Sequence, residues 1–393
     1  MRLGMLPCKI PQISFGYNNM IRNIMNFYKD KRVLITGHTG FKGSWMTALL
    51  LMSGAKITGY ALTPPTEPSL FRLLRLEDPS GYPGTIANVY ADIRDLEKLK
   101  GAFAKAQPEI VIHMAAQPIV RASYDDPVGT YETNVLGTVN VLECCRHTDS
   151  IKSIINVTTD KVYRNKERKE GYREEEELCG YDPYSNSKSC SELVTDSYRS
   201  SFLGEKGIPV TTMRAGNVIG GGDFAKDRIV PDCVRAAIAG EDIIVRNPDS
   251  TRPYQHVLEP VVCYLSMAAS QYNDPSVEGC YNVGPDDEDA VSTAKIATMF
   301  CNCWNGESSL SDGIKADHKI SWINKSVGGP HEAGFLKLDC TKIRETLGWE
   351  PVWNIGRAME ELVKWYKVYA DKGDLTAITN QQITTYLEEY RSR

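Results

Sequence analysis

One stretch constrains the fold of this chain more than any other: Gly37-His38-Thr39-Gly40-Phe41-Lys42-Gly43, directly behind the β-branched run Arg32–Thr36. Glycine lets a backbone turn sharply and lets a pyrophosphate approach the main chain. The exposed N–H groups and the positive end of a following helix then hold the charge. The G-x-x-G-x-x-G spacing therefore predicts a strand, a tight turn and a helix over Phe41–Ser53, with these seven residues against a dinucleotide.

The same alternation repeats downstream. Lys56–Ala61, Thr85–Tyr90, Glu109–His113, Ser153–Thr158 and Val210–Arg214 read as strands. Helices are expected from near Asp95, over Asp126–His147 and over Tyr184–Phe202. Apolar strands alternating with helices predict an α/β fold of Rossmann type, a doubly wound parallel sheet covered on both faces. The expected organisation is an N-terminal extension of low structural content over 1–30 and a dinucleotide-binding domain over 31–216. A smaller substrate-binding domain is expected over 217–393, with part of it free to return to the sheet. The charged segment Arg164–Glu177 reads as a solvated surface excursion. Ligands of such sheets bind beyond the carboxyl ends of the strands, and each motif below follows a predicted strand.

Composition excludes several classes. With 393 residues, 42% hydrophobic and 24% charged, the chain has ample material for a large core. A net charge of −5 leaves no broad basic field for nucleic acid or an anionic membrane. No run of about 18 apolar residues offers a membrane span. The first residues, broken by Pro7, Pro11 and Gly16, do not read as a signal peptide. The 11 cysteines include adjacent Cys144 and Cys145 but no C-x-x-C pair. They read as free thiols in a reducing, cytoplasmic setting, with no metal site.

Tyr184 and Lys188 form Tyr-x-x-x-Lys, one turn apart on one helix face. An ammonium beside a phenol favours the phenolate, which suits a base that removes a hydroxyl proton while a hydride leaves the same carbon. Thr159, after the fifth strand, is placed to hold that hydroxyl. Asp92 and Ile93, after the third strand, are placed to contact an adenine. The usual acidic residue at the end of strand two is missing: Gly59-Tyr60-Ala61-Leu62 holds neither acid nor arginine. NAD and NADP thus both remain open.

These features together, with His113-Met114-Ala115-Ala116-Gln117 after strand four and Asn134 in the next helix, resemble the extended short-chain dehydrogenase/reductases over about Lys31–Gly348. The resemblance adds Ala115, Ala116, Gln117, Asn134 and Thr158 to the cofactor wall. Thr159-Asp160-Lys161 narrows it to nucleotide-sugar 4,6-dehydratases. Gly37–Gly43, Thr158–Tyr163, Tyr184–Lys188 and Arg252–Pro260 (RPYQHVLEP) are similar to the CDP-glucose-specific branch. That likeness implies a lyase acting on CDP-glucose for deoxysugar biosynthesis. In it, Tyr184 with Thr159 and Lys188 would drive oxidation of sugar C4 by NAD+, and the residue at 161 would remove the C5 proton. Asp160 would protonate the leaving 6-hydroxyl, and hydride would return to C6. At its free pKa of about 10.4, roughly one lysine in 2,500 is neutral at pH 7, so Lys161 acts either as base or as a charge steadying the enolate.

The likeness also implies Arg252 on the diphosphate, Asn217 near the sugar, and further contacts from Arg121, Arg228, Gln255, His256 and His331, in a homodimer or homotetramer. Alternatives are a 4-epimerase, which has no use for Asp160-Lys161, another nucleotide-sugar dehydratase, and a dinucleotide-sensing scaffold on the same fold. Inverting dehydratases share Thr-Asp-Lys but lack a tyrosine at the position of Tyr184.

Overall fold

The computed structural model describes residues 23–306, 319–325 and 335–393. A short helix α1 (Ile24–Tyr28) leads into β1 (Arg32–Thr36), α2 (Phe41–Met52), β2 (Lys56–Ala61), β3 (Thr85–Tyr90), α3 (Leu96–Ala106) and β4 (Ile110–His113). Next come α4 (Gly137–Arg146), β5 (Ser153–Thr159), α5 (Pro183–Tyr198), β6 (Val210–Ala215) and β7 (Asn217–Ile219). The remainder includes α6 (Ile229–Ala239), β8 (Ile243–Val245), β9 (Thr251–His256), α7 (Leu258–Asn273), β10 (Cys280–Val283), β11 (Ala290–Ser292), β12 (Trp322–Asn324), α8 (Ile355–Ala370) and α9 (Leu375–Ser392), with further helices at Thr293–Trp304 and Thr341–Leu347.

Seven strands form one parallel sheet in the order β10-β6-β5-β4-β1-β2-β3. The order reverses beside β1, which is where such sheets open a crevice for a ligand. Alternation along β1 shows why its residues are apolar throughout. Val33 and Ile35 enter one hydrophobic cluster with α2 and α7, whereas Leu34 enters a second with α3 and α4. Both faces are covered, so neither can be polar. The first cluster runs from Ile24 to Tyr390, and β10 returns from the C-terminal half to the sheet edge. Two small sheets lie beyond: β11-β9-β7, and β12-β8.

Two expectations need correction. The stretch expected to carry little structure ends in α1, whose Tyr28 is fully buried and donates to the Leu265 carbonyl at 2.8 Å; residues 1–22 lie outside the described residues. The charged segment 164–177 is mostly exposed, as expected, but two of its residues turn inward and anchor it. Tyr172 stacks on Tyr163, and the buried Glu174 carboxylate accepts the Asn282 amide at 2.8 Å. Charge density along the sequence hid these two inward-facing residues. The predicted helix over 126–147 runs without a break from Pro127 to Arg146, with a π-helical turn at Glu132–Leu136 ahead of α4.

Candidate active site

Two cavities meet at the carboxyl edge of the sheet. The larger, about 890 Å³, follows the glycine loop and the ends of β1, β2 and β4. Its floor depends on glycine. Gly37 has φ +78°, and a Cβ on Gly43 would lie 2.2 Å from the Gly37 carbonyl oxygen, so α2 starts against the loop only without that atom. Gly37, Thr39, Gly40, Phe41, Lys42 and Gly43 line this cavity, as do Asp92, Ile93, Ala115, Ala116 and Thr158. A close backbone approach, a helix N-terminus and a cavity of this volume fit a dinucleotide. Where strand two lacks an acid, the structure brings Glu67 from the following loop to the wall, paired with Arg72 at 2.6 Å.

The smaller cavity, about 320 Å³, holds Thr159, Asp160, Lys161 and Tyr184 together. β5 ends at Thr159, whose hydroxyl caps the short 3₁₀ turn Asp160–Val162 and bonds Asp160 Oδ1 at 3.0 Å. α5 begins at Pro183 with Asp182 accepting the Ser185 amide, which sets Tyr184 in the first turn. The Lys161 ammonium stands 6.0 Å from the centroid of the Tyr184 ring. Phe41, Lys42, Thr158, Tyr184 and Arg228 line both cavities and mark where they meet.

Burial dominates the electrostatics. It pushes the Tyr184 phenol up to about 12, against a Thr159 hydrogen bond that lowers it. The expected phenolate bias is therefore not present in the chain alone. Lys188 points its ammonium to the Val157 carbonyl at 3.1 Å, and burial lowers it to about 8 while Glu192 opposes that shift. Burial also raises the Asp160 carboxyl, against the pull of Lys161, Thr159, Arg252 and Lys42. Asp160 Oδ2 is buried with no hydrogen-bond partner among the described residues. A buried carboxyl so placed favours its protonated form. Lys42 is a second buried amine, lowered to about 8 by burial and then by Lys188 and Arg228.

Of the residues expected at the substrate, Arg121, Asn217, Arg228 and Arg252 line the smaller cavity. Gln255 and His256 do not. Gln255 donates to the Val283 carbonyl at 3.1 Å, and His256 is wedged between Trp45 and Trp353. Both follow Arg252 along β9, where the strand has entered the core. His331 lies outside the described residues.

Three residues expected at the cofactor are also turned away. His38 is fully buried and bonds Asn88 at 2.9 Å. Gln117 bonds Thr130 and the Ile119 amide, and Asn134 pins that loop through the Gln117 amide at 2.8 Å and Ser187. They shape the wall rather than face the cavity.

Sequence reasoning missed Glu192, one turn beyond Lys188 on the same helix face. Its carboxylate is buried, accepts from Thr158 and Thr212, and pairs with Arg214 at 2.9 Å. The spacing Tyr-x-x-x-Lys-x-x-x-Glu was the available signal. It also missed Asp227, Asp232 and Arg246 on the smaller cavity, which belong to no motif.

Comparison with known proteins extends this picture. A family model described as GDP-mannose 4,6 dehydratase matches residues 34–362. The chain is 44% identical over 369 residues to CDP-glucose 4,6-dehydratase of Salmonella typhimurium, spanning 92% of this chain and 98% of that relative. Among solved structures it is similar to dTDP-glucose 4,6-dehydratase from Bacillus anthracis in complex with NAD, with TM-score 0.70 and 20% identity over 87% of this chain and 98% of that one. UDP-glucose 4-epimerase of Thermus thermophilus, also in complex with NAD, matches with TM-score 0.70 and 24% identity over 86% and 99%. These two structural likenesses concern the fold.

Proposed function

We propose that this chain, which belongs to the GDP-mannose 4,6-dehydratase family, is an NAD-dependent lyase that converts CDP-glucose to CDP-4-dehydro-6-deoxyglucose and water. The observation that carries this reading is the convergence of Thr159, Asp160, Lys161 and Tyr184 on one cavity that opens onto the dinucleotide cradle. An epimerase would use the tyrosine and threonine but has no task for a buried carboxyl of raised proton affinity beside them. The 44% identity to a CDP-glucose 4,6-dehydratase supports the same choice.

NAD, when bound, supplies the two-electron acceptor that opens the cycle and the donor that closes it. The residues of the chain do the rest. Tyr184 takes the proton of the sugar 4-hydroxyl, which Thr159 holds. Lys188, fixed by the Val157 carbonyl, supplies the positive charge that steadies the phenolate. Oxidation at C4 makes the C5 hydrogen acidic. Lys161, in its neutral form, takes that proton, and Asp160, whose hold on its proton burial strengthens, gives that proton to the departing 6-hydroxyl. Hydride then returns to C6, and Lys161 returns a solvent-exchanged proton to C5. Arg228 and Arg252 grip the diphosphate, since a guanidinium fork suits phosphate oxygens and stays charged. Asn217 and Arg121 face the sugar. Residues 31–216 act as the dinucleotide-binding part and 217–393 as the main substrate-binding part.

No helix among the described residues is long and apolar enough to cross a membrane. That is in keeping with a cytoplasmic enzyme. A homodimer or homotetramer is supported by exposed Val128, Leu136 and Leu193 on the helices flanking the sheet. The test is turnover in heavy water with four nucleotide-glucose donors carrying cytidine, uridine, thymidine and guanosine. Deuterium at C5 and a 4-keto product from CDP-glucose are expected. Inversion at C4 without deuterium at C5 would establish an epimerase instead.

A further inference from the structure

The substrate cavity has an end that the dinucleotide cavity does not share. Ile244, Arg246, Asn247 and Asp232 line the smaller cavity alone, whereas Tyr184 and Arg228 line both. If the hexose sits where the cavities meet and the diphosphate lies against Arg228 and Arg252, the base of the nucleotide falls at the Arg246 end. The geometry there is organised. Arg246 follows β8 and is held from two sides, by Asp227 Oδ1 at 3.1 Å and by Asp232 Oδ2 at 3.2 Å. Asp227 adopts φ +59°, in the left-handed region that aspartate enters more readily than most non-glycine residues. The guanidinium is thus fixed in plane, with donors left over from the two ion pairs.

We propose that the Arg246–Asp232 pair reads the base and selects cytosine. This rests on the reading above that the cavity takes a nucleoside-diphosphate hexose. Along one edge cytosine offers two adjacent acceptors, O2 and N3, followed by the N4 amino donor. An arginine fork beside a carboxylate offers the complement: donor, donor, acceptor, the last from a second lone pair on Asp232, whose Oδ1 also accepts from Arg235. Uracil and thymine offer acceptor, donor, acceptor. Their N3–H would face a donor that has no lone pair, and their O4 would face a carboxylate. The pair, its side chains 32% and 28% exposed, attracts one pyrimidine and repels the other two once a base covers it. Asp227 holds the far side of the fork.

Calorimetric titration of CDP and UDP into the purified full chain tests this without requiring turnover, and kcat/KM for CDP-glucose and UDP-glucose runs beside it. The wild type is expected to prefer CDP. Arg246→Gln, whose amide offers an acceptor as well as a donor, is expected to cut the CDP-over-UDP preference by about tenfold or more. Asp232→Asn is expected to cut it in the same sense. Thermal melts and dinucleotide titration show whether each variant is folded. If CDP and UDP weaken equally in Arg246→Gln, or if neither changes, Arg246 serves the phosphates or the fold and the proposal is overturned. If the wild type turns over no nucleotide sugar yet binds CDP over UDP through Arg246, the proposal stands and the dehydratase reading falls.

Discussion

Asp160 shows how one side chain acquires a chemical task. A carboxylic acid in water is ionised at neutral pH and cannot act as an acid. Here the end of β5 carries it out of solvent, one oxygen bonded to Thr159 and the other without a partner among the described residues. Burial then strengthens its hold on the proton. The sign sets the pH dependence: protonated Asp160 is the active form, so elimination falls as pH rises through its raised pKa. Asp160→Asn keeps the shape and removes the acid. We expect the oxidation half-reaction to survive, seen as cofactor absorbance on mixing with CDP-glucose, while overall turnover drops by about 10²- to 10⁴-fold. Tyr184→Phe should stop the absorbance change itself. An unchanged overall rate in Asp160→Asn would remove the acid role.

Among elements, the turn from β1 into α2 and the helix α5 carry the site. The first works by having nothing at Gly43: a Cβ would meet the Gly37 carbonyl at 2.2 Å and the His38 Cα at 2.7 Å. Gly43→Ala must push the helix off the loop. Dinucleotide affinity, measured by fluorescence titration, should fall about tenfold or more, or ~1.4 kcal/mol. Helix α5 presents Tyr184, Lys188 and Glu192 on one face. Its last member is locked to Arg214, each side chain about 3% exposed. Removing one partner of such a buried pair costs about 3–5 kcal/mol, because the other charge stays behind. Glu192 is therefore a structural anchor as well as a neighbour of Lys188.

For the whole molecule, the C-terminal segment is tied to the sheet through Glu259 on α7. Its carboxylate accepts the Trp353 amide at 2.7 Å, the Val352 amide at 3.1 Å and the Tyr386 hydroxyl at 2.7 Å. Burial raises it from 4.5 to about 7 despite those donors. A raised folded-state value means stability present below the unfolded value and lost as pH rises towards the folded one. The melting temperature should decline between about pH 4.5 and 7, and Glu259→Gln should flatten that decline. The variant should also lose about 1–3 kcal/mol, since an amide cannot accept all of these bonds. A wild-type melting temperature that rises across this window would contradict the assignment.

Much of this protein is legible in its residue order. The apolar strands, the glycine loop and the Tyr184–Lys188 and Thr159–Asp160–Lys161 motifs are local patterns. Periodicity and backbone freedom act between near neighbours, so β1 to β6 fall close to where the sequence puts them. What stayed hidden depends on partners far along the chain. Nothing near His256 says that Trp45 and Trp353 will enclose it, and nothing near Glu174 says that Asn282 will meet it. The phenol of Tyr184 is the sharpest case. Its neighbours in sequence predict a lowered proton affinity, and the depth at which folding buries it raises that affinity instead. Local order chose the chemical groups, and tertiary burial decided their charge, because desolvation depends on everything packed around a group and not on its sequence neighbours.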